Sequence, residues 1–142
     1  MGNQTSIHKV TFEDIQTIIG KERRCLLINT LPSNMQECLI PFTISCSEEE
    51  RIINTYLKEK HLPEIIIYGR NCNDNTILTK YMQLRTLGFT NVKAYPGGMF
   101  EWMLLQDTYG EDSFPTTAKE LDILKFKPPR SYNPLMIENG HP

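Results

Sequence analysis

No stretch of this 142-residue chain approaches the roughly 20 consecutive apolar positions that a membrane-spanning helix requires, and no secretory leader pattern opens it. Its four cysteines (Cys25, Cys38, Cys46, Cys72) form no Cys-x-x-Cys pair, and its three histidines stand at no zinc spacing from them. That excludes a zinc module and a paired-cysteine redox motif, and no metal or other cofactor is expected. An excess of one charge is missing too: 15 Lys and Arg face 17 Asp and Glu, without a basic stripe, which argues against nucleic acid as a partner. What remains is one domain, long enough to bury a core without disulfides, with free thiols in a reducing, cytoplasmic compartment. Cys25 and Cys46 border apolar runs and are expected in or near that core.

The first residues carry a separate signal. Met1-Gly2-Asn3-Gln4-Thr5-Ser6 fits the pattern for N-myristoylation on Gly2. One myristoyl chain binds membranes weakly, on the order of 10⁴ M⁻¹, so a second contact is needed. Lys21, Arg23 and Arg24 of the domain, or a partner protein, are the candidates. The expectation is peripheral membrane attachment.

Along the chain, Thr11 with Asp14 reads as a helix start, followed by Ile15, Ile18 and Ile19, with Gly20 as the stop. Leu26-Leu27-Ile28 predicts a buried strand ending at Asn29, and residues 31–37 a loop or irregular helix. A second extended segment follows Pro41. Ser47 with Glu50 predicts a capping box opening a helix with apolar Ile52, Ile53, Tyr56 and Leu57. Ile65 to Tyr68 is the central strand, residues 77–87 a helix stopped by Gly88, and residues 91–95 the last strand. Pro96-Gly97-Gly98 then turns into a helix over Phe100 to Leu105, whose Phe100 and Trp102 are expected to pack the core. Thr117 and Glu120 predict one more short helix through Leu124. The organisation is a flexible leader (1–9), a domain (10–109), an extension (110–127) and a Pro-containing tail (128–142).

Strands alternating with helices imply an α/β fold: a mostly parallel central sheet with helices on both faces. Ligands of such sheets sit beyond the strand C-termini, where free N–H groups of the following helix favour anions. That places the candidate site at Gly69, Arg70, Asn71, Cys72, Asn73, Asp74 and Asn75.

The chain resembles the rhodanese-like domains, the sulfurtransferase fold shared with Cdc25-type phosphatases, from about Thr11 to Gln106. The resemblance rests on Leu26-Leu27-Ile28-Asn29, on Leu39 to Ile44, on Leu87-Gly88-Phe89-Thr90-Asn91-Val92 and on Tyr95-Pro96-Gly97-Gly98-Met99-Phe100-Glu101-Trp102. Beyond it, Tyr109 to Thr117 and Asp122 to Pro128 are similar to an extension in rhodanese-like proteins of large DNA viruses and some protists. The extension is expected to pack Phe114 and Leu124 on the domain, or to offer Phe126 and the prolines to a partner.

The resemblance implies a nucleophilic Cys at the first loop position; this chain departs from it with Gly69 there and with a loop longer than the usual sulfurtransferase loop. The phosphatase branch needs an Arg at the loop end, where Asp74 and Asn75 stand, which argues against phosphatase activity. Cys72 is the candidate replacement nucleophile, with Asp74 opposing its ionisation. His61 reads as a helix-end residue, and His8 and His141 supply no general base. The favoured function is a catalytically degenerate rhodanese-like domain. It acts as a membrane-tethered binding or scaffolding module, with a protein partner at the loop face or the C-terminal tail. The alternatives are a sulfurtransferase or redox protein carrying persulfide on Cys72, and a virion-associated structural protein.

Overall fold

The computed structural model describes residues 6–20 and 25–132. Among them, five strands form one parallel sheet: β1 (His8–Lys9), β2 (Cys25–Asn29), β3 (Thr43–Ile44), β4 (Glu64–Tyr68) and β5 (Val92–Tyr95). Their spatial order is β1-β5-β4-β2-β3. β4 is the middle strand because its apolar residues can be buried on both faces. Ile66 and Tyr68 enter one core with Ile15, Ile18, Leu27 and Trp102, while Ile65 and Ile67 enter the other with Ile28, Ile53, Tyr81 and Leu84. Helices α1 (Phe12–Gly20) and α4 (Gly98–Tyr109) cover the first face, and α2 (Cys46–Glu59) and α3 (Thr76–Leu87) the second. The expected α/β architecture is therefore present.

Local signals hold where they are short-range. Thr11 and Asp14 cap α1 reciprocally: the Thr11 N–H donates to Asp14 Oδ2 (2.8 Å) and the Asp14 N–H to Thr11 Oγ1 (3.4 Å). Gly88, at φ +112°, ends α3 with its N–H on Arg85 O while the Phe89 N–H reaches Leu84 O.

Several expectations are corrected. The Ser47–Glu50 capping box does not form, because α2 begins at Cys46, whose N–H donates to the Gln36 side chain at 3.0 Å. Gln36 is held there by reciprocal amide bonds with buried Asn29 (3.1 and 2.8 Å). Cys25 packs half-buried against the core as expected, whereas Cys46 is exposed and the buried thiol is that of Cys38. His8 and Lys9, expected in the leader, form the edge strand against β5. The helix expected from Thr117 is replaced by long-range bonding within the chain. The Thr117 hydroxyl donates to Glu37 O and accepts from the Leu39 N–H, and only a 3-10 turn, Ile123–Phe126, follows. In the extension, Phe114 and Phe126 are buried, while Leu124 is 62 % exposed. Trp102 is fully buried as expected, edge-on to Phe114 at 5.1 Å, and Phe100 is half-buried.

Candidate functional site

The chain leaves β4 toward β5 on one side and β2 toward β3 on the other, so the C-terminal ends of β2 and β4 flank the topological switch point. Thr30 and Gly69 meet there, and the Thr30 N–H donates to Tyr68 O at 2.9 Å.

The loop after β4 is organised by Asp74. Its Oδ2 accepts the Arg70 N–H at 3.0 Å, and its Oδ1 accepts the Thr76 N–H at 3.0 Å and the Thr76 hydroxyl at 2.5 Å. Thr76 Oγ1 lies 2.8 Å from Thr30 Oγ1, tying the loop to β2. An internal carboxylate thus takes backbone donors of the loop and of the first residue of α3, where an external anion would otherwise bind. It also fills the space above Gly69. A Cβ on Gly69 would stand 2.5 Å from Asp74 Oδ2 and 2.7 Å from Thr30 Oγ1, closer than such contacts normally come.

The other side of the loop is fixed by α4. The Met99 N–H donates to Gly69 O (2.9 Å) and the Phe100 N–H to Arg70 O (2.8 Å). Gly98 permits this approach: its φ is +63°, and a Cβ there would lie 2.5 Å from Gly69 O. Tyr95, below the turn, donates to Glu101 Oε1 at 2.6 Å; burial and the neighbouring carboxylate push its phenol well above the usual range.

The remaining loop residues diverge. Arg70 is half-buried, with Nη2 3.3 Å from Met35 Sδ and its buried Nε without a hydrogen-bond partner. Asn71 is 4 % exposed; its Nδ2 donates to Phe126 O (2.8 Å) and its Oδ1 accepts the Asn73 N–H (2.9 Å). Cys72, Asn73 and Asn75 face solvent, and the Cys72 thiol lies 3.7 Å from Asn73 Oδ1. His8 and His61 are exposed, and His61 sits by Tyr56 with ring centroids 6.3 Å apart. His141 and the lipidation candidate Gly2 lie outside the described residues. Among the described residues no cluster of His, Cys, Asp and Glu is arranged to hold a metal ion.

Sequence reasoning missed Thr30, Gly98 and Phe126 as parts of the site. Thr30 was accessible in principle, since it follows the strand neighbouring β4. Phe126 was not, because its contact with Asn71 spans 55 positions. Beside Thr30 an open groove of about 530 Å³ runs between α2 and α3, crossed by the Lys80–Glu49 ion pair at 2.5 Å.

A five-stranded parallel sheet with this order and a helix-opening loop at its switch point defines an α/β protein of the switch-point type. The sequence matches no family model and no curated protein. Solved structures are similar over most of the chain. The Bacillus halodurans protein BH2092 superposes with a TM-score of 0.55 at 18 % identity, over 84 % of this chain and 90 % of its own. A single-domain sulfurtransferase of Saccharomyces cerevisiae gives 0.52 at 21 % identity, over 80 % and 99 %. A thiosulfate sulfurtransferase of Pseudomonas aeruginosa gives 0.56 at 15 % identity, over 84 % of this chain but 23 % of that longer one. The fold of this chain is rhodanese-like.

Proposed function

We propose that this chain is a rhodanese-like domain that has given up sulfur transfer and works by binding. The observation that carries this reading is the occupied space at Gly69. In a fold whose resemblance places a nucleophilic Cys at that position, Asp74 and Thr30 stand where its side chain would have to be. The donors that would receive a substrate anion already hold the Asp74 carboxylate. The module is tethered through a myristoyl group on Gly2 to the cytoplasmic face of a membrane or to a membrane-derived viral particle. It meets a protein partner with its loop face or C-terminal residues.

A second reading is favoured by the exposure of the Cys72 thiol. A Cys72 thiolate would attack the outer sulfur of thiosulfate, keep it as a persulfide and release sulfite, and cyanide would then take the sulfur away as thiocyanate. One assay separates the two. The full chain and its Cys72→Ser variant are incubated with thiosulfate and followed by intact mass and thiocyanate release. A binding module gains no 32-Da adduct and forms no thiocyanate above the protein-free rate. Sulfur gained on Cys72, discharged by cyanide and lost in the variant would establish the sulfurtransferase instead. Expression beside an N-myristoyltransferase, with the mass of the N-terminal peptide read, tests the tether.

A further inference from the structure

Beyond the extension the chain leaves its packed part through a segment whose shape is set before anything binds it. Phe126 is fully buried, and its carbonyl accepts from Asn71 Nδ2 at 2.8 Å. Lys125 pairs with Glu120 and lies over the Phe126 ring. The Lys127 N–H donates to Leu124 O at 3.1 Å, closing the 3-10 turn. From this anchor Lys127 turns outward at φ −65° and ψ 154°, the polyproline II conformation. Lys127 and Pro128 are each held extended by the proline that follows, and both prolines have φ locked at about −65°. One proline would suffice to stop the turn. The second leaves an exposed Pro129 in a pair flanked by exposed Lys127 and exposed Arg130. With three residues per polyproline II turn, the two cations fall on one edge about 9 Å apart. Among the described residues neither is ion-paired, and residues 123–132 contain no acid.

We infer that residues 127–130 are a docking peptide for a partner domain whose groove is lined by aromatic rings and rimmed by carboxylates. The rings take the proline pair, and the carboxylates meet Lys127 and Arg130. The inference rests on the binding reading above and gives that reading the chemistry of its partner. The preset backbone loses little conformational freedom on docking, which lets so short a segment bind. Since Phe126 is fastened to Asn71, the segment starts against the loop, and a domain seated on it meets the loop face as well. An anionic lipid surface fits less well. Two unpaired cations fall short of the clusters of about 4–8 that such surfaces recruit, and a rigid proline pair has no part in that attraction.

The test titrates the full chain, from about 1 to 500 µM, against a panel of purified WW-type proline-recognition domains with acidic groove rims, by calorimetry. Phosphatidylcholine–phosphatidylserine vesicles are titrated in parallel. At least one domain should bind with micromolar dissociation, more weakly as salt rises. Pro129→Ala should weaken that binding about tenfold or more, with a thermal midpoint within a few degrees of the parent's, because Pro129 is exposed. Arg130→Glu, which leaves the proline pair intact, should weaken it too and flatten its salt dependence. A panel without a binder overturns the inference, whether or not the vesicles bind. So does a domain that binds Pro129→Ala as well as the parent. The two failures are separable: sulfur gained on Cys72 removes the binding-module reading, whereas an inert chain that binds no domain removes only this inference.

Discussion

Asp74 does with one side chain what a bound anion does in an open loop: it joins the N–H groups of Arg70 and Thr76 and so sets the loop's curvature. This makes Gly69 a position where even a methyl group is crowded, unless Asp74 or Thr30 shifts. Gly69→Cys should therefore destabilise the chain by about 1–3 kcal/mol, in the range of overpacking, and should not confer thiosulfate:cyanide transfer. Urea unfolding and thiocyanate formation measure the two halves of that expectation. Removing the carboxylate in the same chain, as Gly69→Cys with Asp74→Gly, should recover part of the lost stability; if it recovers none, the crowding lies elsewhere. Asn29 is the second residue whose exact chemistry matters. Its amide donates to Ile44 O (3.1 Å) and exchanges bonds with Gln36, while its oxygen accepts the Leu31 N–H (3.0 Å). Asn29→Asp places a buried carboxylate against a carbonyl oxygen and should cost about 1–3 kcal/mol at neutral pH, read from the same unfolding curves.

Among elements, the extension is the one whose importance exceeds its regularity. It contains almost no secondary structure, yet Trp102 Nε1 donates to Pro115 O (2.8 Å), Gln106 to Phe114 O (2.8 Å) and Gln16 to Ser113 O (2.8 Å). It ends with Phe126 fully buried and bonded through its carbonyl to Asn71 in the loop. Phe126→Ala should cost about 3–5 kcal/mol, as large cavities in packed cores do. Asn71→Ala, which leaves the core filled, should cost about 1–3 kcal/mol and speed amide exchange at Asn73, whose N–H loses its acceptor. These contacts explain which parts of the molecule could be read from the chain. The Ile run of β4, the Gly88 stop of α3 and the Thr11–Asp14 cap are decided by neighbours within a few residues. The site loop was legible for the same reason, since strand, Gly and helix follow one another directly. The start of α2 was not, because the cap is Gln36, ten positions upstream, which is itself placed by Asn29. Nor was the extension, where a threonine with helix-capping chemistry bonds instead to the backbone of Glu37 and Leu39, about 80 positions away. Leu124 and Phe126 offer the same apolar character in sequence; only the three-dimensional neighbourhood decides that the Phe is taken in and the Leu left out.

At the scale of the whole molecule, burial sorts like side chains into classes that a titration can count. Tyr68 and Tyr95 are raised above the ordinary phenol value by burial, whereas Tyr109 and Tyr132 face solvent. In the unfolded chain all tyrosines ionise near pH 10, so the unfolded state releases protons there that the native state keeps. Stability should hold up to about pH 9 and fall above it, visible as declining urea midpoints between about pH 9 and 11. A flat profile across that window would mean that the two phenols are not buried as described. The thiols divide likewise. Cys46 and Cys72 are exposed and should react quickly with a disulfide reagent, while Cys38, buried and with its thiol pushed up by desolvation, should react only on unfolding. Finally, the sheet is closed at both margins by strands of two residues each, one of them ending in an exposed Lys9. Among the described residues these edges offer a neighbouring molecule little backbone to continue the ladder, which disfavours edge-to-edge growth while the fold lasts. The segment most prone to such growth, Ile65-Ile66-Ile67, is innermost and is released only when the molecule opens. Long-term solubility is therefore a matter of time rather than of concentration alone: it is set by how rarely the central strand is let go.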